Sequence, residues 1–138
     1  MKSSSIKTKG EFPENIAKSL VDTLQKEGYI VKRNFKYPHK ISTNFDVKYQ
    51  SYILDIFAVK RNNIIVVKYE NCFDVLSNNN KGLWRALSFK PGVNFHILVP
   101  SYCKEKAQVK SSMLNVPLKI LCLDDWEDSF KSSLKNSK

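Results

Sequence analysis

Apolar residues at Ile16, Leu20, Val21 and Leu24 recur at helical spacing. Pro13 suits the first turn of that helix and Gly28 the position just past its end. The pattern then changes. Tyr29 to Tyr37 alternates like a strand, with Lys32, Arg33 and Lys36 interleaved, and Pro38-His39 predicts its end. Residues 40–49 are polar and read as a connection. Tyr52–Val59 and Ile64–Glu70 are nearly unbroken apolar runs, and the four residues Lys60-Arg61-Asn62-Asn63 between them predict an antiparallel hairpin. A loop is expected over Asn71–Asn80. A short helix over Lys81–Phe89 follows, with Leu83, Trp84 and Leu87 inward. The third apolar run is a strand at Phe95–Val99, stopped by Pro100. Ser101 is placed to cap a helix over Tyr102–Leu114, a strand follows at Leu118–Leu123, and a last helix spans Trp126–Leu134.

The order α-β-β-β-α-β-α-β predicts an α/β protein: a three-layer α/β/α sandwich of minimal size around a mixed sheet. Strands joined through a helix should be parallel. A single domain is expected over 11–130, between basic tails at 1–10 and 131–138, the first expected to be disordered.

Charge adds a partner class. The chain of 138 residues carries +10, which points to a polyanion such as nucleic acid. Each tail holds three lysines and no acid, so the body holds +4. No apolar run is long enough to span a bilayer, and the polar, basic start has no secretory h-region, so membrane partners are not expected. Cys72, Cys103 and Cys122 are odd in number and widely spaced. They read as reduced, buried thiols of a cytoplasmic protein.

Within the apolar pair of strands stand three charged residues: Asp55 on the first run, Lys68 and Glu70 on the second. Such residues are costly in a sheet interior unless paired or used to hold a metal. Lys68 and Glu70 share a face, and the short turn lets Asp55 approach them across the ladder. Two acids and a lysine are the parts of metal-assisted phosphodiester hydrolysis. The acids hold Mg²⁺ or Mn²⁺, and the lysine activates the nucleophile or offsets developing charge. The alternative is a self-neutralising triad without metal.

On the element order over residues 12–123 and on the Asp55…Lys68-x-Glu70 residues, the chain resembles the PD-(D/E)XK nuclease superfamily, which has the restriction-endonuclease-like fold. The resemblance implies a DNA-binding, metal-dependent nuclease with Asp55 and Glu70 as metal ligands and Lys68 as the activating base. Many nucleases of this size pair to reach both strands, so it also implies a homodimer. The family pattern is acid-x-Lys. Here Lys68 stands at the acid position and Glu70 at the lysine position, and no Pro precedes Asp55. The second reading is therefore an inactive nuclease fold that binds DNA or a protein partner.

The remaining features have simpler explanations. Lys32, Arg33 and Lys36 form a basic-aromatic strand, read either as a nucleic-acid groove or as a charged edge. Lys81 and Arg85 share a helix face that suits a phosphate backbone or plain exposure. Glu14 is expected as a solvated first-turn acid. Asp124, Asp125, Glu127 and Asp128 are expected to cap the last helix. Trp84 is expected in the core, and His96 as a core histidine with its hydrogen bonds met. His39 has no metal-ligand pattern near it.

Overall fold

The computed structural model describes residues 12–42 and 44–136, side chains at 39, 41, 42 and 136 excepted. The sequence-assigned tail at 1–10 and the side chain of His39 lie outside it. Helix α1 (Glu14–Lys26) leads into β1 (Ile30–Ser42), β2 (Val47–Lys60) and β3 (Asn63–Tyr69). Helices α2 (Cys72–Leu76) and α3 (Lys81–Ser88) precede β4 (Val93–Val99). A single 3₁₀ turn (Ser101–Cys103) enters α4 (Lys104–Leu114), and β5 (Lys119–Cys122) and α5 (Trp126–Asn136) close the chain.

The five strands lie in sequence order. β2 runs antiparallel to both β1 and β3, and β3, β4 and β5 run parallel. The short turn at 61–62 joins an antiparallel pair; the helical crossovers give the parallel ones, as the sequence predicts. One face of the sheet packs Ile56, Ala58, Ile65 and Val67 against Leu20 and Leu24 of α1 and Phe130 and Leu134 of α5. The other packs Leu54, Val66 and Ile97 against Val75, Leu83, Trp84 and Leu87 of α2 and α3 and Ala107 of α4. The architecture is a mixed α/β sheet with helices on both faces.

Five expectations are corrected. β1 continues through Pro38 to Ser42, and residues 47–51 belong to β2, so the polar stretch 40–49 is mostly the outer part of a long hairpin. Pro38 is tolerated because β1 is an edge strand, where a missing N–H costs no ladder bond. The expected loop at 71–80 contains α2, started by an Asn71–Asp74 capping box. Ser101 does not cap α4; its hydroxyl donates to Asp124 instead. Finally, Cys72 and Cys103 are joined in a disulfide, with Cα atoms 5.2 Å apart, and only Cys122 is a free buried thiol. The pairing ties α2 to the entrance of α4 and removes the argument for a reducing compartment that three free thiols would make. α5 also runs to Asn136, through most of the stretch the sequence assigns to a basic tail.

Candidate functional site

β2 and β3 pair from Lys60↔Asn63 to Ile56↔Val67, and there the ladder stops. The cause is Asp55. Its Oδ2 accepts the Tyr69 N–H at 2.7 Å, so a side chain takes the donor just beyond the last rung. The other side of β2 is disturbed at the same level. The β1–β2 ladder skips Asn34 and Asp55, and Asn34 has φ 54°, in the left-handed region. Leu54 and Ile56, two residues apart, consequently belong to opposite cores, where a regular strand would put them on one face. Asp55 thus marks the root of a two-stranded arm, 35–42 with 47–54, that leaves the rest of the sheet.

Lys68 and Glu70 project into the core under α2 and α3. Glu70 is fully buried. Asn80 Nδ2 donates to its Oε1 at 2.6 Å, Trp84 Nε1 donates to its Oε2 at 3.0 Å, and Lys68 Nζ stands 3.6 Å from Oε2. A second cation closes the set from above. Lys110 Nζ donates to the carbonyls of Val75 (2.8 Å) and Ser77 (2.7 Å) and to Asn80 Oδ1, and lies 4.5 Å from the centre of the Trp84 ring. Burial pushes the Glu70 carboxyl above its ordinary value, and Lys68, the Trp84 N–H and Lys110 oppose the shift. Burial likewise raises Asp55, opposed by the Tyr69 N–H and Lys68, and lowers Lys110, opposed by Glu70.

The three residues singled out in the sequence are thus brought to one region, with Lys68 set among the acids. The donor set does not fit a resident Mg²⁺ or Mn²⁺. Both Glu70 oxygens already accept hydrogen bonds from neutral donors in a sealed environment, and one Asp55 oxygen is taken by the backbone. Divalent cations require several free oxygens and water. Among the described residues no three acids, histidines or cysteines converge as a metal cluster. Asn80 and Lys110 were missed in the sequence. Asn80 falls there at the end of the expected loop, and its side chain does not cap α3 but reaches back ten residues to Glu70.

The basic candidates separate. Glu14 is an exposed acid in the first turn of α1, as expected, and Arg33 is spent on a two-pronged pair with it at 2.8 and 3.0 Å that holds its carboxyl below its ordinary value. Lys32 pairs in register with Phe57, on the α3 side of the sheet where Arg85 is exposed and Lys81 half-buried. Lys36 lies on the opposite face. There the arm is open. Lys36 faces Ile53 and Lys40 faces Tyr49 in register, beside Val47 and Pro38, all exposed. Its other face is covered, with Phe35, Tyr37, Tyr52 and Leu54 packed on the α2–α3 layer and the Tyr52 hydroxyl donating to Asn79 O at 2.9 Å. Lys40 and Tyr49 were missed because they fall in the stretch read as a polar connection.

No helix among the described residues is long and apolar enough to cross a membrane. No protein-family model matches the chain, and no curated protein or solved structure is significantly similar to it.

Proposed function

We propose that the protein binds nucleic acid, duplex DNA foremost, through the open face of the β1–β2 arm, and that Asp55, Lys68 and Glu70 hold the root of that arm rather than cleave phosphodiesters. The observation that carries this reading is the exposed row of Lys36, Lys40 and Tyr49 on a two-stranded ribbon whose other face is anchored. A two-stranded ribbon fits the major groove of B-form DNA, about 12 Å wide. Lysines on it meet phosphates, and an exposed tyrosine offers a surface for sugar or base. The net charge of +10 supplies the long-range attraction. The nuclease resemblance supports the same partner. The buried bonding of Glu70 favours its binding-only version, because a hydrolytic centre would have to break the Asn80 and Trp84 hydrogen bonds before Glu70 could hold a metal.

Binding of a labelled duplex by the full chain is expected to weaken steeply with salt. The triple variant Lys36→Ala, Lys40→Ala, Tyr49→Ala should lose about tenfold in affinity, and its salt slope should flatten by about 2, near 0.9 for each lysine lost. If the triple variant binds like the parent while removal of residues 1–10 abolishes binding, the tail is the ligand site and the arm reading fails. Plasmid incubated with Mn²⁺ is expected to stay intact. Cleavage that Asp55→Ala removes would restore the nuclease reading.

A further inference from the structure

Helix α4 buries Ala107 and exposes Lys104, Glu105, Lys106, Gln108 and Ser112 as a surface helix should, but breaks that pattern along one side. Its Lys110 turns inward to the carbonyls of α2, while Val109 and Met113 point outward, 54% and 79% exposed. On the facing element Leu76 of α2 is 64% exposed. Between them runs a groove of about 450 Å³ whose floor and walls include Val75, Leu76, Val109, Met113 and Leu114. Its walls are fixed. The Cys72–Cys103 disulfide ties α2 to the start of α4, and Lys110 clamps the last carbonyls of α2. A groove already held open does not pay an ordering cost when it is filled.

The rim carries the sign of its occupant. Lys81 and Lys106 line the groove with their charges unpaired among the described residues, against a single acid, Glu105. A second copy of the chain is a poor fit, because a two-fold contact would set these lysines against their own copies in a molecule already at +10. Phosphate is a poor fit for an apolar floor. The complement of an apolar trough between two helices, edged by lysine, is a helix with an apolar stripe and acidic flanks. We infer that the α2–α4 groove docks an acidic amphipathic helix of a partner protein.

The probe is a labelled helical peptide of about 16 residues with leucines on one face and glutamates on the rest, titrated by anisotropy into the full chain. Two controls keep the composition informative: lysine in place of glutamate, and the leucines scrambled off one face. The glutamate peptide is expected to bind at least about tenfold tighter than either control. Met113→Asp should weaken it by about tenfold, while Phe89→Asp, on a surface away from the groove, should leave it unchanged. Lys81→Glu with Lys106→Glu should turn the preference toward the lysine peptide. Equal binding of all three peptides, an unchanged preference in the charge-reversed variant, or self-association of the parent that Met113→Asp dissolves would each overturn the inference.

Discussion

Lys110→Met is expected to destabilise the fold by about 3 kcal/mol, read as a fall of roughly 10 °C in Tm for a chain of this size. The methionine keeps the stem packed on Trp84 and removes only the ammonium. What it strands is polar: the Val75 and Ser77 carbonyls and Asn80 Oδ1 lose their donor. Glu70 is left with Lys68 as its nearest cation, 3.6 Å away. An unmet buried acceptor costs about 1–3 kcal/mol, and three carbonyl-type oxygens near the surface recover part of that from water, which is why the sum is not taken. The charge component can be isolated. If Lys110 answers the Glu70 carboxylate, Glu70→Gln should lessen the cost of Lys110→Met, so that the double variant is more stable than the two single effects predict. Strict additivity in thermal or urea melts, or a Lys110→Met variant as stable as the parent, would mean that Glu70 is not held by this network and is free for another role. The same cycle bears on function, since a carboxylate needed to hold its own core together is not available to hold a metal.

The legible and illegible parts of this chain divide along a physical line. β2, β3 and β4 were readable because strands buried on both faces need unbroken apolar runs, and α1 because a one-sided helix needs a stripe. The outer part of the arm, 38–51, was not, since its described strand side chains face water and leave no apolar alternation to read: Pro38, Lys40, Val47, Lys48, Tyr49, Gln50 and Ser51 are all exposed. Pro38 reinforced the error, being a stop signal everywhere except on an edge. The Asp55, Lys68 and Glu70 neighbourhood was legible as a set of charges that had to be compensated. Its partners were not. Asn80 and Lys110 lie ten and forty residues from Glu70, and they arrive there because α2 and α3 fold back over β3 and α4 packs on α2. The Cys72–Cys103 pair was hidden for the same reason. Its sulfurs meet through the placement of α2 and the 3₁₀ turn, 31 residues apart, neither of which the spacing announces.

His96 carries the second large effect, through pH. It sits on β4 with 1% of its surface exposed, its ring edge-on to Phe130 at 5.4 Å. Nε2 lies 3.4 Å from Ser133 Oγ, while Nδ1 makes no hydrogen bond of good geometry, though the backbone at Asn94 and Val66 acts on the ring and opposes the effect of burial, so the expectation of a satisfied core histidine holds in part. Burial, and the nearby Lys119 on β5, lower its pKa from 6.5 to about 4. The neutral ring is therefore the folded form. Between pH 6.5 and 4 the unfolded chain binds the proton and the folded chain refuses it, so stability rises with pH across that window and is fully present above it. The difference amounts to about 3 kcal/mol, lost as the pH falls to 4. Asp55 and Glu70 act in the opposite sense. Their raised values mean that the fold keeps protons the unfolded chain has released, and stability falls as pH rises through their titration. A parent melt against pH therefore mixes the two. Comparison with His96→Gln separates them, since the carboxylates are common to both proteins. The stability gap between parent and variant should be constant above pH 6.5 and shift against the parent by about 3 kcal/mol on the way to pH 4. Parallel curves would show that the ring takes its proton in the folded protein, and that Ser133 and Lys119 rearrange to admit it.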